Sequence, residues 1–458
     1  STSRRQRQMC IRDRTMMIRS TTNGVLKSYR YNLQRSSYTL NKAMNTVLTG
    51  RNFDTYAADP ATAARCFQMR RSFQRVNSQY SVSESVTRKY EQAWSALGSV
   101  VDDVNNQKTS SAYQDILHSI NDPTASGRNS LGQSLTELAK GIVQTMNGRY
   151  GDNFIFAGAD GLKVPFTWGE DGTLCYRGIP VDAAVPDIAM SNGAPLTLND
   201  QGQYDPAGTN YLLSGGVKTI SVDDYEAAVK AGNAPTVLRD TTGAGQLVDA
   251  DGNISTTERY YLVLDNSKTI SKADYEQAEK DLASLDYLSK SEVKYADLGL
   301  GLQEDGKTGE VIGSSVFNVA LQGINFLGYG VDADGDPKNI VSIISRMGQI
   351  LLNCDATTGA FAEGERDEFQ RLADKFEASA ALLQDKHIEL DTQADFLKSN
   401  QTQLENMAHT LEQQFLGIED VDPAEAISQL SWAKYCYNTA LKVGNSILSQ
   451  SLMDYINA

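Results

Sequence analysis

The stretch "FQRLADKFEASAALLQDKHIELDTQADFLKSNQTQLENMAHTLEQQF" (369–415) carries a stripe of mostly apolar residues at every third or fourth position. The stripe consists of Phe369, Leu372, Phe376, Ala380, Leu383, His387, Leu390, Ala394, Leu397, Gln401, Leu404, Ala408, Leu411 and Phe415. This spacing is typical of a helix that buries one face against another helix, as in a coiled coil. At a rise of about 1.5 Å per residue, one helix over this stretch would be about 70 Å long. The stretch therefore predicts a long, rod-like helical domain.

The N-terminal part of the chain repeats the same kind of pattern. Leu26, Leu33, Leu40 and Val47 recur at intervals of seven and Gly50 ends the run, which predicts a coiled-coil helix over 17–50. Asp59 is a suitable N-cap for a second helix that starts at Pro60. In that helix an apolar series with steps of four and three follows: Val86, Tyr90, Ala93, Leu97, Val100 and Val104. A further helix is predicted from about 130 to 147.

The C-terminal end forms a matching helix. Asp422 is the expected cap and Pro423 the first helical residue, which predicts a final helix over 423–458. Its apolar positions are Ile427, Leu430, Tyr437, Leu441, Leu448, Leu452 and Tyr455. We expect this helix to pair antiparallel with 17–50, and two helices of this length leave apolar surface uncovered. These seven residues, with Leu26, Leu33, Leu40 and Val47, are therefore the candidate coiled-coil interface through which the chain assembles.

Between 161 and 339 the periodicity changes from helical to mixed. "FTWGEDGTLCY" (166–176) predicts a hairpin, and "RYYLVLD" (259–265) predicts a strand. A weak repeat, "KTISVDDYEAA" (218–228) and "KTISKADYEQA" (268–278), indicates two related α+β units, each with a Ser-capped helix. The predicted fold is mainly α, with this β-rich α+β domain inserted between the two halves of a helical rod, 51–160 and 340–422.

Composition excludes several classes of function. The formal net charge is −15, which argues against binding nucleic acid, and no apolar run is long enough to span a bilayer. Residues 1–16 are rich in arginine, and we expect the natural protein to start at Met16 or Met17. They are interpreted as an artefactual extension.

The sequence offers no catalytic, cofactor or metal constellation. Its five cysteines are spread widely without a CxxC pair, and its three histidines are far apart, with His387 in the helical stripe. Asp332, Asp334 and Asp336 alternate like calcium ligands, but the glycine and the twelfth-position carboxylate of an EF-hand loop are misplaced. We interpret this segment as an acidic turn and expect a protein that is not an enzyme.

Several motifs resemble the flagellin superfamily and, within it, the hook-associated protein 3 family of the bacterial hook–filament junction. They are "MIRSTTNGVLKSYRYNLQRSSYTLNKAMNTVLTGRNF" (17–53), "DTYAADPATAARCFQMRRSF" (54–73), "NGRYGDNFIFAGADGLKVPF" (147–166), "VKYADLGLGL" (293–302), "SSVFNVALQGINFLGYGVDADGDPKNIVSIISRM" (314–347) and "ILSQSLMDYI" (447–456). Together, the terminal parts cover about three fifths of the chain.

This resemblance implies a structural protein that is exported without a cleavable signal peptide through the flagellar type III apparatus. It implies extracellular assembly through the terminal helices, with copies of itself, other hook-associated proteins, hook protein and flagellin as partners. It also implies a cytoplasmic chaperone that holds the C-terminal helices. The alternatives are a flagellin that builds the filament, or an adhesin or enzyme carried by the inserted domain. A coiled-coil secretion translocator would need a long apolar segment, which the chain lacks.

Overall fold

The computed structural model describes most of the chain, which is mainly helical with small antiparallel sheets. The described residues are 22–53, 57, 59–105, 125–257, 259–264, 268–355 and 357–456. Residues 1–16 lie outside them. No helix in these described ranges is long and apolar enough to cross a membrane.

The described α-helices are α1 (Thr22–Thr49), α2 (Pro60–Asn105), α3 (Ala125–Met146), α4 (Val222–Lys230), α5 (Lys272–Lys290), α6 (Gly323–Leu327), α7 (Ile340–Leu352), α8 (Glu365–Glu419) and α9 (Pro423–Ile456). The described strands are β1 (Arg149–Tyr150), β2 (Asn153–Phe154), β3 (Ala157–Gly158), β4 (Phe166–Trp168), β5 (Leu174–Tyr176), β6 (Ile179–Pro180), β7 (Met190–Ser191), β8 (Ala194–Pro195), β9 (Thr197–Leu198), β10 (Asn210–Leu212), β11 (Val217–Ser221), β12 (Leu247–Val248), β13 (Tyr260–Leu264), β14 (Thr269–Ser271), β15 (Tyr295–Ala296), β16 (Phe317–Asn318) and β17 (Leu321–Gln322).

The chain divides into two compact units. Among the described residues, the first unit contains those up to 81 and from 401 onward, and the second contains those between 82 and 400. Helices α2 and α8 contribute to both units. A mainly helical chain with an inserted α+β part was predicted and is confirmed at this level, whereas one continuous coiled-coil rod stays a prediction.

The first unit contains α1, α9, the beginning of α2 and the end of α8. Both predicted N-caps are confirmed: Asp59 Oδ1 accepts the N–H of Thr62 at 3.2 Å, and Asp422 Oδ1 accepts the N–H of Ala424 at 2.8 Å. The rings of Phe73 and Phe415 meet at 5.5 Å between centroids, so α2 and α8 share an apolar seam in this unit.

The helical core of the second unit confirms the predicted stripe. On α2, Tyr90 and Leu97 are buried, and on α8 Phe376 and Leu383 are buried. His387 occupies its expected seam position and stacks on Trp94, with 5.1 Å between ring centroids. Spacing of three and four residues was therefore a sufficient signal for this helix pair.

Helices α3 and α7 cross closely because each has a glycine at the contact. A Cβ at Gly132 would lie 2.8 Å from the carbonyl oxygen of Gly348, and one at Gly348 would lie 3.0 Å from that of Gly132. Real Cβ atoms essentially never come within 3.0 Å of another heavy atom, so the crossing needs Gly132, and a Cβ at Gly348 would require its neighbours to shift. Helix α7 is the most apolar of the helices in this core, with Ile343, Ile344 and Met347 fully buried.

The predicted hairpin at 166–176 is formed by β4 and β5, and β6 extends it to three strands. Phe166 and Tyr176 from this sheet are buried in the same core as the helices, and the Tyr176 hydroxyl donates to the Phe156 carbonyl at 2.9 Å. This part of the 161–339 segment therefore packs as part of the helical core.

A second hydrophobic core lies within the second unit and is built from residues between 189 and 264. Its buried members are Ala189, Leu196, Leu198, Leu212, Leu238, Val248, Leu262 and Leu264. Two three-stranded sheets surround it, in the orders β14-β10-β9 and β11-β13-β12. The strand predicted at 259–265 is the central β13, and Ser221 and Ser271 cap α4 and α5 as predicted.

Candidate assembly interface

The end of α1 lies beside the start of α9. Gly50, with φ of +68°, ends α1 in the left-handed conformation that favours glycine. Its carbonyl accepts the N–H of Val421 at 3.1 Å, and the Asn52 N–H donates to the Glu419 carbonyl at 2.8 Å. Arg51 and Asp420 form an antiparallel bridge at the same place.

The other ends of the two helices also meet. Gly444 is buried on α9, and a Cβ placed there would overlap the ring of Tyr29 on α1. Contacts therefore run from Gly50–Val421 to Tyr29–Gly444, in opposite chain directions. Helices α1 and α9 form the antiparallel pair that the sequence suggested.

Four of the predicted interface residues lie on the inner face of α1. Leu26, Leu33, Leu40 and Val47 are half-buried, and Ala43 between them is buried. The seven-residue spacing thus marks the side of α1 that is least exposed to solvent.

On α9 the inner face differs from the row of large apolar residues in the sequence. Leu430 and Tyr437 are half-buried, whereas Ile427 and Leu441 are 56% and 43% exposed. The buried positions are instead Ala426, Ala433 and Gly444, and Leu430, Cys436, Tyr437 and Ala440 are half-buried. The sequence prediction rested on large apolar side chains, whereas the buried face of α9 consists mainly of small residues at steps of three and four.

The remaining predicted positions on α9 are Leu448, Leu452 and Tyr455. The helix backbone continues through all three to Ile456, but their side chains lie outside the described residues. Their place in the interface stays a prediction.

The outward faces of α1 and α9 carry large exposed side chains. On α1, Tyr31 and Tyr38 are about two-thirds exposed, and Met44 and Leu48 are also exposed. On α9, Trp432 and Tyr435 stack on each other with 5.8 Å between ring centroids, and they are 68% and 63% exposed. Ile427, Leu441 and Val443 are exposed on the same helix. Exposed large side chains such as the stacked Trp432 and Tyr435 are typical of a surface that binds another protein.

A buried carboxylate lies where the end of α1 meets the start of α9. Glu419, the last residue of α8, is 5% exposed and forms ion pairs with Arg51 at 3.2 Å and with Arg70. The Cys66 thiol lies 3.7 Å from the same carboxylate, and burial, followed by the negative charge of Glu419, raises the pKa of this thiol. Two arginines compensate one buried charge, so the arrangement serves packing rather than thiol chemistry.

The acidic turn considered as a calcium site lies in the second unit. Among the described residues, Asp332, Asp334 and Asp336 are the one cluster of three or more metal-capable side chains. The Lys375 ammonium contacts all three carboxylates at 2.7, 3.0 and 2.5 Å, and Arg371 also pairs with Asp336. Internal cations therefore occupy the position that a metal would take.

Several solved structures of flagellar proteins are similar to this chain. No protein-family model and no curated protein matches its sequence. A Vibrio parahaemolyticus protein described as flagellar hook-associated is similar in structure, with TM-score 0.41, 9% identity, and coverage of 79% of this chain and 99% of that one.

Two further solved structures are similar over comparable lengths. FlgL of Xanthomonas campestris matches with TM-score 0.36, 12% identity and coverage of 76% and 99%. Flagellar hook-associated protein 3 of Legionella pneumophila matches with TM-score 0.35, 12% identity and coverage of 76% and 98%. The Legionella protein carries the name of the family whose motifs the sequence resembles.

Proposed function

We propose that this chain is a structural component of the bacterial flagellum that joins hook to filament and polymerises through its terminal helices. The observation that carries this proposal is the α1–α9 pair. In this pair, each helix covers one face of the other, and Tyr31, Tyr38, Trp432 and Tyr435 stay exposed to solvent. A surface of this composition is costly in a monomer and becomes favourable when a neighbouring subunit covers it.

Under this proposal the remaining predicted interface residues act between subunits. Ile427 and Leu441 are exposed on α9, and both are apolar, so they are suited to bury against a neighbouring copy. Leu26, Leu33, Leu40, Val47, Leu430 and Tyr437 hold the pair together within one subunit. The partners are copies of this chain, other hook-associated proteins, hook protein and flagellin.

The proposed route to the assembly site is flagellar export followed by extracellular assembly. An export chaperone that binds the C-terminal helices would cover the exposed face of α9 before assembly. This role requires no catalysis, cofactor or metal, and Lys375 and Arg371 offset two of the three negative charges of the acidic turn at 332–336.

Electron microscopy of the purified chain with isolated hook fragments tests the proposal. We expect a short layer of added density at hook ends and no long filaments from the protein alone. The double substitution Trp432→Ser and Tyr435→Ser should abolish the added layer. The matched control Val229→Ser, at an exposed apolar residue of α4, should leave it intact.

Two outcomes would contradict the proposal. Long filaments grown from the chain alone would identify a filament subunit, the flagellin alternative. Failure of the wild-type chain to bind hook ends would mean that the terminal helices serve another assembly.

A further inference from the structure

The short sequence repeat in the inserted segment is also a structural repeat. Each copy of "KTIS" forms a strand, β11 or β14, followed directly by a helix, α4 or α5. The side chains of Ser221 and Ser271 accept the N–H groups of Asp224 and Asp274, both at 3.1 Å. The two caps thus have the same residues and the same geometry.

The equivalence extends well upstream of these strands, at a constant offset of fifty positions. β9 corresponds to β12 and β10 to β13, and the turns between them match as well. Asn199 Oδ1 accepts the N–H of Gln203 at 2.9 Å, and Asp249 Oδ1 accepts that of Asn253 at 2.8 Å. We define residues 187–230 as the first repeat and 237–280 as the second repeat.

The two repeats exchange strands with each other. β11 of the first repeat pairs with β13 of the second, and β14 of the second pairs with β10 of the first. The registers are equivalent, because Ile220 faces Tyr261 and Ile270 faces Tyr211. Strands joined by a loop as short as that between β10 and β11 ordinarily form a hairpin with each other. Here both repeats avoid that hairpin in the same way.

Other contacts between the repeats also occur in equivalent pairs. The Val222 N–H donates to the Arg259 carbonyl at 2.8 Å, and the Lys272 N–H donates to the Thr209 carbonyl at 2.7 Å. Helix α4 therefore begins on a segment of the second repeat, and α5 begins on a segment of the first.

Two tyrosine pairs repeat the same relation. Tyr225 of the first repeat packs edge-on against Tyr261 of the second at 5.2 Å, and Tyr275 of the second packs against Tyr211 of the first at 5.3 Å. Each repeat therefore supplies a helix tyrosine to one pair and a strand tyrosine to the other.

The hydrophobic core is shared equally between the copies. Ala189, Leu196, Leu198 and Leu212 come from the first repeat, and Leu238, Val248, Leu262 and Leu264 come from the second. We propose that the two repeats are copies of one module and that they pack against each other as the two subunits of a dimer do. Each repeat presents a surface that binds a second copy of the same module. The two sheets consequently open together as one cooperative unit. This inference does not depend on the proposed function.

Hydrogen exchange measured by mass spectrometry on the full chain tests this inference. In the wild-type protein, amides of β9–β10 and of β12–β13 should report the same opening equilibrium. Tyr225→Ala and Tyr275→Ala remove equivalent cross-repeat contacts, and each should speed exchange in both sheets by about tenfold or more. Peptides from α7 should be unchanged, as should both sheets in the control Tyr287→Ala, at an exposed residue of α5 beyond the second repeat.

The inference fails if each tyrosine substitution speeds exchange in only one sheet. It also fails if the two sheets of the wild-type protein differ by more than about tenfold in opening equilibrium. The second measurement needs no substitution, so it remains decisive even where a variant does not fold.

Discussion

Lys375 takes the place of a bound cation in the acidic turn at 332–336. Burial by itself raises the pKa of Asp332 and of Asp336, but hydrogen bonds from Lys375, with Arg371 on Asp336, lower both below their ordinary values. Each aspartate therefore favours folding above its unfolded pKa of about 4, and that contribution is lost as the pH falls through the lower folded value.

Lys375→Met should destabilise the second unit by about 1–2 kcal/mol at pH 7, because three carboxylates would then repel one another at a partly buried site. The difference from wild type should shrink below pH 4, as the carboxylates become protonated. Chemical denaturation at pH 7 and pH 3.5 measures both values. Lys280→Met, at an exposed lysine of α5, is the control and should change stability little at either pH.

The pKa of Asp182 is shifted in the opposite direction, so its effect on stability has the opposite dependence on pH. Burial raises its pKa to about 6, and the Ser342 hydroxyl lowers it by a smaller amount. Because the folded pKa lies above the unfolded value, the folded state loses stability as the pH rises through about 6.

Asp182→Asn should therefore stabilise the protein at pH 8 by an amount on the order of 2 kcal/mol, and change it much less at pH 4. Denaturation midpoints at the two pH values give the comparison. Equal effects at both would show that the carboxylate charge has no role in stability.

At the scale of elements, the α1–α9 pair depends on a glycine. Gly444→Ala should open or shift the pair, costing about 1–3 kcal/mol, because the added Cβ overlaps the Tyr29 ring. Helical content and amide exchange of α9 measure the effect, and the additional change Tyr29→Ala should restore part of it.

Gly417→Ala is the matched control for this prediction. Gly417 is a helical glycine in α8 whose Cβ would meet no atom within 4 Å, so the better helix former should be neutral or slightly stabilising. A loss at Gly417 as large as that at Gly444 would contradict the packing explanation.

Different elements were predictable to different degrees from sequence. The α8 stripe and the caps at Asp59 and Asp422 follow from local periodicity and chemistry, and the structure confirms them. The inner face of α9 was harder because alanine and glycine carry little hydrophobic signal. Strands of two residues, such as β3 and β17, could not be predicted because their pairing joins segments far apart in the chain.

At the scale of the whole molecule, the second unit contains two hydrophobic cores. Leu212 belongs to the core of the inserted repeats, and Ile343 on α7 belongs to the helical core. The sequence indicated an inserted segment, but which of its residues join each core depends on tertiary packing, as Phe166 and Tyr176 illustrate.

Leu212→Ala should lower the opening free energy of the inserted repeats by about 2–5 kcal/mol, because it leaves a cavity at a fully buried site. Amide exchange in α7 should be unchanged. Ile343→Ala is the reciprocal variant and should act mainly on the helices. Loss of protection in both regions from either change would mean that the two cores fold as one.

The exposed stack of Trp432 on Tyr435 has a spectroscopic consequence. The chain has three tryptophans, and Trp432 is the most exposed of them at 68%, against 41% for Trp94 and half-burial for Trp168. Indole emission shifts to shorter wavelength when water is removed from around the ring. Binding of any partner that covers this face of α9 should therefore shift the tryptophan emission of the protein to shorter wavelength, which can be measured without an added label.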